Sequence, residues 1–186
     1  MSKKALLGSL LCLFCTVNVI AGNPVSVKLG ETSVLKNPSK AYLKIDYSAA
    51  KVGEDTLDEY LKKRGDDFVR DWPQVDATTA TMFKEQFNKK SKGMTLVTDS
   101  TDVSYKFVIH VNSLDMGNGA SAFVPFGTPK AGGVIMSGTI DIIDMQTDEV
   151  ACTLLVDNVK GLGAFSETSR LGLMYTELAK LLCKLK

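Results

Sequence analysis

Histidine is almost missing from this chain: His110 alone serves 186 residues. That shortage narrows the chemistry. A Ser-His-Asp hydrolase site would have to be built on His110. His110, Cys152 and Cys183 also lack the spacing of zinc ligands. Surplus charge is missing too. Lys and Arg number 22 against 21 Asp and Glu, a net charge of +1, so the chain as a whole has no electrostatic reason to seek nucleic acid. The short basic runs Lys62-Lys63-Arg64 and Lys89-Lys90-Ser91-Lys92 fall at expected helix ends beside acids and read as solvated surface. Beyond the N-terminus, no apolar run approaches the roughly 20 residues that a membrane-spanning helix needs.

Cofactor and metal motifs are equally scarce. Gly161-Leu-Gly-Ala-Phe-Ser166 follows an expected strand and opens an expected helix, the setting of a dinucleotide-binding turn. Ser166 stands where that motif needs a Gly or Ala, and no strand follows the helix, so a tight strand-to-helix turn is the reading. Asp141, Asp144, Asp148 and Asp157 crowd one hairpin without the ligand order of a calcium loop. No catalytic, cofactor-binding or metal residue is assigned, and the chain is expected not to be an enzyme.

What is present begins with an export leader. Lys3 and Lys4 precede the mostly apolar Ala5–Ile20, and Val19 and Ala21 supply small residues at the cleavage positions. Residues 1–21 therefore read as a signal peptide cut after Ala21. Cys12 and Cys15 leave with it, and neither follows the small residue of a bacterial lipidation site. The expectation is a soluble exported protein, periplasmic, outer-membrane-associated or extracellular, with no transmembrane span. Losing Lys3 and Lys4 takes the net charge from +1 to −1.

The remainder reads as a leader or edge segment, residues 22–40, followed by one α+β domain, residues 41–186. Alternation marks strands at 41–48, 94–98, 105–114, 133–144 and 149–160. In the most regular of them, Val134, Met136, Ile140 and Ile142 share one face. Thr56 is placed to cap a helix carrying Leu57, Tyr60 and Leu61. Phe68 and Trp72 suggest a separate helical turn that Pro73 ends or kinks. Asp76 then suits the N-cap of a third helix running to Lys90, and Ser166 that of a last helix. Each strand has one strongly apolar face, so the expected fold is a two-layer α+β sandwich, a mainly antiparallel sheet with helices on one face.

Two features are candidates for function. The loop from Asp115 to Gly133 exceeds the about 12–15 residues beyond which irregular loops are usually functional or disordered. It carries Phe123, Val124, Pro125 and Phe126 between glycine-rich arms. Such a tip suits docking to a protein, peptide or lipid surface, and an envelope protein or peptide is the partner expected. The other reading has it fold back over Val108, Ile135 and Leu155 on the open sheet face. The second feature is the pair Cys152 and Cys183, which export would permit to form a disulfide. Strand and helix lengths bring them to one level, while the helical phase turns Cys183 away from the buried stripe, and both readings stay open. His110, with Ser137, Thr139 and Asp141 expected beside it, forms at most a faint acid–base cluster.

Several stretches carry a family resemblance. Asp-Thr-Leu-Asp-Glu-Tyr-Leu (55–61), Asp-Asp-Phe-Val-Arg-Asp-Trp-Pro (66–73), Phe-Asn-Lys-Lys (87–90), Leu-Asp-Met-Gly-Asn-Gly (114–119), Gly-Gly-Val-Ile-Met-Ser-Gly-Thr-Ile-Asp-Ile (132–142) and Ser-Glu-Thr-Ser-Arg-Leu-Gly (166–172) resemble a family of uncharacterised exported Bacteroidetes proteins. The pattern from Gly138 to Thr147 is distantly similar to envelope lipoprotein domains of unknown function and to the periplasmic part of the curli-secretion lipoprotein CsgG. Asp148 stands where many of those domains have Gly, and the lipidation cysteine is lacking. The resemblance implies a fold and an envelope compartment, and no catalytic residues. The function expected is a non-catalytic exported envelope binding or assembly module. The alternative is a periplasmic small-molecule or peptide binder using the open sheet face.

Overall fold

The strongest alternation in the sequence becomes strand β7 (Ile135–Asp144), which buries Met136, Gly138, Ile140 and Ile142. Strands β6 (Tyr105–Asp115) and β8 (Val150–Lys160) flank it, both antiparallel. The computed structural model describes residues 23–117 and 132–185. The leader 1–21 and the candidate tip Phe123–Phe126 lie outside the described residues.

Strand β1 (Val25–Gly30) pairs antiparallel with β8, and strand β2 (Lys40–Asp46) runs parallel to β6. Strand β5 (Thr95–Val97) pairs parallel with β2 at the far edge, giving the order β1-β8-β7-β6-β2-β5. A two-residue-per-arm hairpin, β3 (Lys51–Val52) and β4 (Asp55–Thr56), continues the β6 ladder beside Ser113 and Leu114. The 22–40 segment enters this core as an edge strand: Val25 on β1, with Val34 and Leu35 on the short helix α1 (Ser33–Lys36), is buried.

Helix α2 (Leu57–Arg64) begins where Thr56 forms a capping box with Glu59, the Thr56 hydroxyl accepting from the Glu59 amide at 3.3 Å. Gly65, at φ 118°, separates it from α3 (Asp66–Lys90). Here the sequence reading needs correction. Pro73 neither ends the helix nor starts a new one, and Asp76 is not an N-cap, because α3 is continuous over 25 residues. A proline in the eighth position cannot donate to the Val69 carbonyl and costs up to about 3 kcal/mol. Packing on both sides of it offsets that cost. Trp72 meets Tyr47 edge-on at 5.4 Å, and Phe83 and Phe87 are fully buried against Phe107 at 6.0 and 5.8 Å. With the helix running through it, the Asp76 carboxylate lies half-buried near Tyr47 instead of facing a helix end.

Helix α4 (Glu167–Leu182) starts from the Ser166 cap and buries Leu171, Met174, Tyr175, Leu178 and Leu182. It lies beside α3 and runs in the same direction. Glu167 and Thr168 share a cleft with Asp71, Trp72 and Val75 at one end, and Leu182 and Cys183 share one with Phe87 and Lys90 at the other. Contact is close enough that a Cβ on Gly172 would collide with the Met82 side chain. The fold is α+β, with helices packed on one face of a mainly antiparallel sheet. Among the described residues no helix is long and apolar enough to cross a membrane.

Candidate functional site

Two arrangements stand out: the open face of the sheet, and the root of the β6–β7 connection. On the open face, Asp46, His110, Thr139 and Leu155 lie in register across β2, β6, β7 and β8. One row along, Val108, Asp141 and Thr153 are likewise in register. The His110 ring sits between two carboxylates, with Nδ1 3.3 Å from Asp46 and Nε2 3.3 Å from Asp141. Asp141 also accepts from the Thr153 hydroxyl at 2.6 Å. The Ser48 backbone amide, donating to Asp46 at 3.0 Å, holds that carboxyl below its ordinary range, with smaller help from Lys44 and His110.

Chemically this is a relay of four polar side chains over four strands. Both imidazole nitrogens face carboxylates, so neither points to a hydroxyl nucleophile as a triad base must. Of the expected companions, Asp141 is in contact and Thr139 is the in-register neighbour. Ser137 is drawn off to a β-bulge, where its hydroxyl accepts from the Asn158 amide at 2.9 Å. The bulge shifts the phase of β8, so that Val159 is buried and Asn158 takes φ 51°. Val108 is buried on this face, whereas Leu155 is 41% exposed.

The second arrangement lies where β6 hands over to β7. Met116 and Gly117, just past the end of β6, lie beside Gly132 to Val134, just before the start of β7. Gly117 takes φ 63°, and a Cβ there would collide with the Gly132 carbonyl. A Cβ on Gly133 would collide with the Gly161 carbonyl. The Gly161 amide donates to the Val134 carbonyl at 2.9 Å. Only glycine permits backbones to approach so closely.

Arg170 closes the root. It is 6% exposed. Its Nε donates to the Met116 carbonyl at 3.2 Å, and Nη1 donates to Ala164 and Phe165 at 3.2 and 3.0 Å. A buried guanidinium is tolerated only when its donors are matched. Here they join one foot of the β6–β7 connection to the β8–α4 turn. Sequence reasoning missed this residue, although a signal existed: Arg170 lies four residues before Met174, on the buried stripe of α4. The Gly161–Ser166 segment is a packing turn, as its glycine spacing allowed. Gly161 lies against Met174, and the Ser166 hydroxyl accepts from the Ser169 amide at 3.1 Å.

The cysteines are both free thiols. Cys152 is buried in β8 opposite Ile142, and burial pushes its thiol up to about 11. Cys183 turns toward α3, with Sγ 3.7 Å from the Phe87 carbonyl, so the two side chains serve different contacts. One further buried polar group was not anticipated. Asp76 Oδ1 has no hydrogen-bond partner among the described residues. Burial raises its carboxyl, partly offset by Tyr47, whose hydroxyl shares a 2.8 Å hydrogen bond with Tyr175. Among the described residues, no group of three or more His, Cys, Asp or Glu is placed to hold a metal ion.

A scan against protein-family models and a search of curated proteins each return no match. Among solved structures, the chain is similar to the PelC dodecamer from Paraburkholderia phytofirmans in space group P6, with 12% sequence identity and a TM-score of 0.44, over 87% of this chain and 98% of that one. A single-substitution variant of that dodecamer in space group C2 aligns with 11% identity and a TM-score of 0.41, over 86% of this chain and 97% of that one.

Proposed function

We propose that this chain is a non-catalytic, exported binding or assembly module of the cell envelope, periplasmic or outer-membrane-associated, whose partner is an envelope protein or peptide. One observation carries the reading: the feet of the 118–131 connection are fixed by a buried arginine and two glycine contacts. A rigid root lowers the entropy lost when a partner orders the residues it presents. Those residues include Phe123, Val124, Pro125 and Phe126, and phenylalanine is among the aromatic residues enriched in interface cores. The export leader supplies the compartment, and the resemblance to exported Bacteroidetes proteins agrees with it.

The test is the double substitution Phe123→Ser and Phe126→Ser, followed by thermal melting and affinity for the partner recovered from envelope extracts. Docking predicts an unchanged melting temperature and a loss of association. A loss of a few kcal/mol in stability assigns the phenylalanines to covering the sheet and rejects docking.

A second reading has its own support. The open face aligns Asp46, His110, Asp141 and Thr153 beside the exposed Leu155, a mixture of charge and apolar surface suited to a peptide or small polar ligand. Asp141→Asn with His110→Gln would abolish ligand binding under this reading and leave association with the envelope partner intact under the first.

A further inference from the structure

The lysines of this chain are unevenly placed. Helices α3 and α4 end side by side, and two adjoining clefts of about 230 and 280 Å³ open between their C-terminal ends. Both are lined by Lys90 and Cys183. Leu35, Phe87, Leu182 and Leu185 line the first, together with Lys36 and Lys92; Lys180 and Lys184 complete the second. Five lysines thus converge on an apolar floor from α1, the end of α3, the turn after it, α4 and the C-terminal tail. Among the described residues, no carboxylate lines either cleft.

Complementing the helix dipole accounts for part of this, since cations favour helix C-termini. It does not account for Lys92 and Lys184, which lie beyond the ends of α3 and α4. Ordinary surface neutralisation does not account for it either. Of these five lysines, only Lys180 has a carboxylate within ion-pair distance among the described residues, Glu177 at 3.0 Å. The basic run at the opposite end differs: Lys63 pairs with Asp55 at 2.6 Å and Arg64 with Glu167 at 3.1 Å. A chain of nearly balanced charge therefore keeps unpaired positive charge at one pole.

We propose that this pole docks on an anionic phospholipid membrane surface, with lipid phosphates between the lysines. Charge complementarity fixes the sign of the partner, and the shape favours a surface over a soluble ligand. Each cleft is shallow and smaller than the roughly 300–1,000 Å³ of pockets that enclose a small molecule. The lysines spread across two clefts, so several phosphates are engaged together. Each lysine near an anionic leaflet strengthens binding about fivefold. The inference rests on the clefts alone and stands whether or not the 118–131 segment binds a partner.

The test uses the chain without residues 1–21, which keeps every core residue named above and removes the apolar leader that would itself enter lipid. Flotation with phosphatidylcholine vesicles, with and without phosphatidylglycerol, gives the binding. The expected result is association only with the anionic vesicles, weakened by salt. Lys90→Gln with Lys184→Gln lowers partitioning roughly 25-fold at an unchanged melting temperature, and Lys62→Gln with Lys63→Gln leaves it unaltered. Cys183 sits at the junction of the clefts, so its alkylation slows on anionic vesicles. Equal binding to neutral vesicles, or an unaffected Lys90/Lys184 variant, overturns the proposal. So does protection of Cys183 by polyglutamate or inorganic phosphate but not by vesicles.

Discussion

Replacing Arg170 with Met tests whether the loop root is held as described. Methionine keeps much of the apolar stem and removes the donors. Three carbonyls, of Met116, Ala164 and Phe165, lose their partner. Hydrogen bonds from a charged donor contribute about 1.5–3 kcal/mol each, which sets an upper bound of roughly 5–9 kcal/mol. Part of that is offset, because the variant no longer buries a guanidinium at a cost of several kcal/mol. The expected net loss is about 2–4 kcal/mol. For a domain of this size each kcal/mol moves the melting temperature by about 2–4 °C, so a fall of roughly 5–15 °C is expected. Urea titration should show a lower midpoint with an unchanged slope. Amide exchange should accelerate first at Gly117, the foot beside Met116, and at Gly161, in the β8–α4 turn that Arg170 ties to that foot. Arg170→Lys should recover less than half of the loss, since one ammonium cannot reproduce the fork. A loss below about 0.5 kcal/mol, with exchange at Gly117 and Gly161 unaltered, would refute the claim that Arg170 locks the root.

Three further outcomes follow from the same structure. Asp76→Asn should stabilise the protein by roughly 1 kcal/mol at neutral pH. Burial raises the Asp76 carboxyl in the folded state, so its destabilising effect sets in as pH rises from the unfolded value through the folded one; melts should show the gain vanishing below pH about 4. Pro73→Ala should raise stability by about 1–3 kcal/mol by restoring a helical N–H at an exposed position, and a destabilised variant would mean that the proline shapes α3 to seat Trp72. Thiol counting on denatured, unreduced chain lacking residues 1–21 should return both Cys152 and Cys183 as free, with Cys183 alone reacting in the native state; a count of zero in a monomer contradicts the structure.

What the sequence disclosed, and what it withheld, follows from the range of the interactions. Strands β6, β7 and β8 were legible because Phe107, Ile109, Ile140, Ile142, Cys152 and Leu154 are buried on one face at a period of two. That signal is local. The parallel pairing of β2 with β6 leaves no local trace, so Asp46 could not be anticipated beside His110, although Asp141 could. Asp148, standing where many of the similar domains have Gly, takes the left-handed φ of 58° that a glycine there would adopt freely. Pro73 misled, because the local cost of a proline was outweighed by contacts of Trp72 and Phe83 with residues distant in sequence. The hairpin of β3 and β4 is too short for any periodicity. Arg170 was assigned no role, since composition does not say that three backbone carbonyls wait to receive it.

The central claim, that residues presented from the locked β6–β7 root contact an envelope partner, is tested most directly by photocrosslinking. A benzophenone amino acid placed at Phe126 in cells, with a second probe at the exposed Val69 on α3 as control, reports what lies against each position. The account predicts a discrete crosslinked species in the envelope fraction from position 126, absent from position 69 and lost when Phe123→Ser is added. Crosslinks from position 126 that stay within the chain, to Leu155 or Ile135 on the open face, would contradict it.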